Sequence, residues 1–114
     1  MKQKTTERDV KKSVKDYLEL KGWTVFTLYA GGIYNAKSKG YYSHNPAGLP
    51  DLLCYHKKMP VMLFLEIKGS GGKVSPEQTK FIEAVNGIEG VFAQIVWSLD
   101  EIILFDKKLR GKYL

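Results

Sequence analysis

Two apolar runs joined by a five-residue polar connector constrain this chain more tightly than any other feature. Asp51-Leu52-Leu53-Cys54-Tyr55 is followed by His56-Lys57-Lys58-Met59-Pro60 and then by Val61-Met62-Leu63-Phe64-Leu65-Glu66-Ile67-Lys68. Short apolar runs bounded by polar turns read as strands, and a connector this short folds them into an antiparallel hairpin. A turn centred near Lys58 and Met59 sets Asp51 opposite, or nearly opposite, Glu66. Residues paired directly across such a ladder point to one face, with Cβ atoms ~5 Å apart. Strand alternation puts Lys68 on the same face, one step further along. The open end of the hairpin therefore gathers two carboxylates and a lysine, a poor choice for a core.

The flanking sequence completes an α/β fold. Val10, Val14, Tyr17 and Leu18 recur at helical spacing between Thr5 and about Lys21, and Gly22 supplies a stop. That helix leaves a Lys-rich face to solvent, while Glu7, three residues before Val10, is predicted to share the inward stripe. Trp23 to Tyr29 reads as a strand, and Ala30 to Gly48, with Gly31, Gly32 and Gly40, as a long functional or mobile loop. After the flexible Gly69-Ser70-Gly71-Gly72-Lys73, Ser75-Pro76-Glu77-Gln78 opens a second helix with an N-cap, a proline and a glutamine. Phe81, Ile82 and Val85 form its stripe. Gly90 to Trp97 reads as a strand, and Ser98 with Glu101 caps a last helix carrying Ile102, Ile103, Phe105 and Leu109. The order α-β-β-β-α-β-α predicts a mixed central sheet flanked by helices. Within it, a crossover helix returns the chain to a strand parallel to the hairpin's second arm. The 114 residues fit one domain, 1–114.

The charges point to a chemistry. Two close carboxylates repel, which raises one pKa unless a cation intervenes. Mg²⁺ or Mn²⁺ suits such a site, because a hard ion of this kind uses only one or two carboxylates plus water and phosphate oxygens. Beside it, a lysine can orient or deprotonate a water and offset charge on a pentavalent transition state, the requirements of phosphodiester hydrolysis. Lys and Arg number 18 against 12 acids, a net charge of +6. That balance favours a polyanionic partner, nucleic acid first and an anionic membrane surface second. A single cysteine, Cys54, excludes an internal disulfide and a Cys-based zinc cluster, and its apolar setting reads as a small buried hydrophobe. His44 and His56 lack metal-ligand spacing and are expected on the surface. Gly69–Lys73 lacks the phosphate-loop spacing, so no nucleotide cofactor is expected. With no signal-type or long apolar segment, a cytoplasmic protein is expected, in the host cytoplasm if the source is viral.

Gly48-Leu49-Pro50-Asp51, Glu66-Ile67-Lys68 and Ser75-Pro76-Glu77-Gln78 together resemble the PD-(D/E)xK nuclease superfamily. More narrowly they resemble its VRR-NUC (virus-type replication-repair nuclease) group in the stand-alone viral or bacterial form, from Glu7 through Trp97. The resemblance implies a restriction-endonuclease-like αβββαβ core. It implies Asp51, Glu66, the Ile67 carbonyl and Glu7 as metal-linked groups, Lys68 as the catalytic lysine, and Gln78 as an active-site glutamine. Glu7 equally suits a helix N-terminus, and Gln78 equally suits the capping box. Stand-alone members are associated with homodimers that cut branched DNA, four-way junctions above all, and a dyad of two sites suits that substrate. The rivals are cleavage of flaps, ends or duplex by the same chemistry, and a non-catalytic DNA-binding module. Lys37, Lys39, Tyr41 and Tyr42, with Tyr29 and Tyr34, are candidate DNA contacts beside the Asp51 strand, and Lys73 is another on the loop after Lys68.

Overall fold

The computed structural model describes residues 5–28 and 48–114. Along the chain run α1 (Glu7–Leu20), β1 (Trp23–Thr27), β2 (Leu52–His56), β3 (Met59–Ile67), α2 (Pro76–Val85), β4 (Val91–Val96) and α3 (Leu99–Tyr113). The four strands form one mixed sheet in the order β1-β2-β3-β4. β1 pairs antiparallel with β2, β2 antiparallel with β3, and β3 parallel with β4. The expected hairpin, crossover helix and parallel return are all present. The first strand ends at Thr27, short of the predicted Tyr29, which lies outside the described residues.

Each helix begins where a side chain satisfies its free amides. Thr6 Oγ1 accepts from Asp9 N–H at 3.1 Å to open α1. Ser75 and Gln78 form a full capping box at α2, and Ser98 and Glu101 form another at α3. α1 packs on β1 and β3 and against α3, α3 also meets β3 and β4, and α2 lies on β4. The main core joins Val10, Val14 and Leu18 of α1 to Leu52, Cys54, Leu63, Leu65 and Ile67 of the hairpin and to Ile102 and Leu109 of α3. On the opposite face Phe64 meets Phe81 of α2 edge-on, with ring centroids 5.3 Å apart. Cys54 is buried as expected, and burial pushes its thiol up to about 12.

The hairpin register carries a lesson. Leu52 pairs with Leu65 and Tyr55 with Met62, the register that a turn centred between Lys58 and Met59 predicts. The actual turn is tighter, at Lys57 and Lys58, because His56 pairs with Met59. A bulge between Tyr55 and His56 absorbs the difference and restores the predicted pairing at the open end.

A buried acid was not anticipated. Asp106 of α3 is only 2% exposed, and it accepts from Tyr17 Oη at 2.9 Å and Trp23 Nε1 at 2.8 Å. Arg110 pairs with it at 3.0 Å and also donates to the Lys21 carbonyl. Burial, and then the bond to Asp106, raises the Tyr17 hydroxyl pKa. His56 is half-buried rather than free on the surface, its ring edge-on to Trp23 at 5.2 Å and Nε2 3.2 Å from the Lys21 carbonyl.

Candidate active site

The hairpin's open end brings Asp51, Glu66 and Lys68 together. Asp51 lies one step beyond the Leu52–Leu65 pair, which places it across from Glu66. Its Oδ2 accepts from the Ile67 N–H at 2.9 Å, so the carboxylate reaches across to the partner strand. Pro50 is fully buried beside it. Gly48, with φ +74°, fits where a side chain cannot, since a Cβ there would stand 2.7 Å from Gln78 N and closer still to the Glu77 carbonyl. The Gly-Leu-Pro-Asp segment is therefore wedged against the first turn of α2, and that contact fixes where Asp51 enters the sheet.

Glu66 and Lys68 are both nearly inaccessible, at 5% and 9% exposed. They form an ion pair of 3.3 Å, the contact that same-face alternation predicts. Lys68 N–H donates to the Val96 carbonyl at 2.9 Å, so β4 holds the backbone of this residue as well. The Glu66 carboxyl is pushed up to about 7, first by burial and then by the Asp51 carboxylate. Lys68 opposes that shift, and Glu7 adds a smaller push in the same direction as Asp51.

Glu7 corrects an expectation. It is exposed, not part of the inward stripe. As the first residue of α1 it overhangs the end of the sheet, where the core that buries Val10 no longer extends. Its closeness to Glu66 nevertheless stands, and Gly69 explains it. A Cβ on Gly69 would lie 2.7 Å from the Thr6 carbonyl carbon and would collide with the Glu7 amide. Ser70 then clasps Thr5, its N–H donating to the Thr5 carbonyl at 2.7 Å and its Oγ accepting from the Thr5 N–H at 3.0 Å. The glycine that follows Glu66-Ile67-Lys68 is what lets the start of α1 approach the carboxylates.

Gln78 is buried, and its Oε1 accepts from Ser75 N–H at 2.9 Å, which is the capping role. Lys73 is exposed on the loop after β3. Tyr29, Tyr34, Lys37, Lys39, Tyr41 and Tyr42 fall outside the described residues. One residue went unnoticed in the sequence: Lys11 of α1 sits 3.6 Å from Asp51 Oδ1. Its only signal was a place one helical turn after Glu7.

The donors suit a divalent cation. Asp51 and Glu66 share a corner where Lys68 does not fully offset their repulsion, and a bound cation relieves that strain. Among the described residues no three His, Cys, Asp or Glu side chains gather into a ready cage. An ion such as Mg²⁺ typically uses only one or two carboxylates, with water and substrate oxygens completing its shell, so Asp51 and Glu66 are a sufficient pair of protein donors.

Among the described residues, three helices on a four-stranded mixed sheet, with an Asp and a Glu-x-Lys at the open end of its central hairpin, define a restriction-endonuclease-like core. A family model described as the VRR-NUC domain matches residues 31–97, more than half of the chain. The chain belongs to the VRR-NUC family, and so carries a nuclease domain of the PD-(D/E)xK type, a hydrolase with DNA as its substrate. The match takes in Asp51, Glu66, Lys68 and Gln78, while Glu7 precedes it. No curated protein and no solved structure matches the chain.

Proposed function

We propose that this protein is a Mg²⁺- or Mn²⁺-dependent endodeoxyribonuclease that cuts branched DNA, four-way junctions in particular, as a homodimer. The convergence of Asp51, Glu66 and Lys68 at one end of the hairpin, within a VRR-NUC domain, carries the reading. Asp51 and Glu66 would hold the ion, with the Ile67 carbonyl and Glu7 as further oxygens. When bound, the ion polarises the phosphoryl group and acidifies a coordinated water.

The side chains do the rest. The bond from the Ile67 N–H to Oδ2 fixes the Asp51 carboxylate and leaves Oδ1 toward Lys11. Lys68, held by Glu66, donates to the attacking water and offsets charge that develops on the phosphate. Burial of Glu66 and Lys68 keeps bulk water from screening these charges. Gln78 acts through the first turn of α2, against which Gly48 is seated. Lys73, with Lys37, Lys39, Tyr41 and Tyr42 as assigned from the sequence, would contact DNA phosphates and unpaired bases. Junction preference and dimerisation rest on the likeness to stand-alone members, where two dyad-related sites meet two scissile strands.

The test is cleavage of a labelled four-way junction beside linear duplex and flap, with Mg²⁺, Mn²⁺ or chelator, together with sizing in solution. Junction cleavage that needs the metal and is lost in Lys68→Ala and Asp51→Asn is the expected result. Retained cleavage in those variants would remove the assignment of the site. Equal cutting of all three substrates, or a monomer in solution, would remove the junction or dimer reading alone.

A further inference from the structure

The Lys-rich face of α1 is not simply a wet surface. Arg8, Lys11, Lys12 and Lys15 line a groove of about 420 Å³ along the helix, together with Glu7, Asp16 and Glu19. Lys12 is engaged by Asp16, one turn on, at 2.9 Å. Lys11 and Lys15 behave differently, for both are half-buried. Lys11 reaches Asp51 Oδ1 at 3.6 Å, and Lys15 Nζ lies 3.3 Å from the hydroxyl of Thr27, the last residue of the edge strand β1. Their stems lie along the protein, so their ammonium groups are already placed and lose less freedom on binding an anion.

The spacing fits a nucleic-acid strand. Residues four apart on a helix rise ~6 Å along its axis. Each strand of a duplex advances one phosphate per ~3.4 Å of the duplex axis, so Lys11 and Lys15 together span about two phosphate steps measured along that axis. Lys11 stands in the middle, against a carboxylate of the site, with Arg8 one helical turn before it and Lys15 one turn after it along the groove. The Lys11–Asp51 pair is partly exposed, and pairs of that kind are weak enough to exchange. Once a divalent cation takes Asp51, a phosphate is the natural new partner for Lys11.

We propose that this face of α1 is a phosphate track, in which Arg8, Lys11 and Lys15 hold the backbone of the DNA strand that leaves the site. The inference rests on the DNA-cleaving reading above. It identifies a helix surface, outside the matched family segment, as part of the substrate interface.

Binding of a labelled linear duplex, followed by fluorescence anisotropy with Ca²⁺ held constant in place of Mg²⁺ and between about 50 and 200 mM monovalent salt, tests it. Arg8→Gln, Lys11→Gln and Lys15→Gln are measured singly and together. Lys107→Gln/Lys108→Gln on α3 serves as a charge control, and circular dichroism verifies folding. Each track substitution should reduce the slope of log K against log salt by about 0.9, and the triple variant by two to three times that. The control should match the wild type. If the triple variant keeps the wild-type slope, or the control loses as much as it does, the track is wrong. If the wild type itself fails to bind duplex and junction alike, the DNA reading falls, and the track with it.

Discussion

Replacing Glu66 by Gln tests the electrostatics of the site without relying on turnover. Burial and the neighbouring Asp51 carboxylate move the Glu66 carboxyl from 4.5 to about 7 in the folded chain. A folded value above the unfolded one means that the protonated form favours the fold. Its contribution is complete below pH 4.5 and is lost as the pH rises through about 7. At about 1.4 kcal/mol per pKa unit, the metal-free protein forfeits up to about 3 kcal/mol across that window. Gln mimics the neutral carboxyl in size and charge, so Glu66→Gln should gain on the wild type by that amount between pH 4.5 and 8. The pairing with Lys68 is already contained in that value, since Lys68 pulls the Glu66 carboxyl down against burial and Asp51. Urea unfolding in chelator, at half-unit pH steps, gives the difference directly. A stability difference that is flat with pH would refute the raised carboxyl. Divalent ion should restore the wild type, by about 2.7 kcal/mol at one hundred times its dissociation constant, and should do much less for the variant.

Four further outcomes follow from contacts elsewhere. Gly69→Ala puts a Cβ into the backbone of Thr6 and Glu7, so α1 must lift from the end of β3; urea unfolding should show a loss of about 1–3 kcal/mol. In the same variant, calorimetric titration with Mn²⁺ should show weaker binding, because Glu7 retreats from the carboxylates. Asp106→Ala strands Trp23 Nε1, the Tyr17 hydroxyl and Arg110 together, and should lower the unfolding free energy by about 3–5 kcal/mol. Cys54, fully buried with its thiol near 12, should resist thiol reagents in the native protein at pH 8 and react on unfolding, as read by mass spectrometry.

Much of the fold was legible because its signals are local. Ser75 with Gln78, and Ser98 with Glu101, mark helix starts through side chains that reach only three residues, so sequence spacing and spatial contact coincide. The hairpin was legible for a similar reason, since a short connector leaves few registers and the apolar faces reject a one-residue slip. The bulge shows the limit of that logic. A turn predicted at Lys58 and Met59 and an observed turn at Lys57 and Lys58 give the same pairing at Asp51, because core packing sets the register and the bulge accommodates the turn.

What spacing alone misses is the docking of one element onto another. Helical periodicity placed Glu7 and Val10 on one side of α1, yet only the position of the sheet's edge decides that Val10 is buried and Glu7 is not. Asp106 looks like any acid in an amphipathic helix until Tyr17 and Trp23, more than eighty residues away, supply its hydrogen bonds. Lys11 is the sharpest case. On an isolated helix it belongs to the solvated Lys-rich face, and that reading is correct for its neighbour Lys12, which pairs with Asp16 within the same helix. Gly69 lets the start of α1 settle over the end of β3, and that approach turns Lys11 toward Asp51. The absence of a side chain at Gly69 thereby makes an ordinary helix surface continuous with the carboxylates of the site.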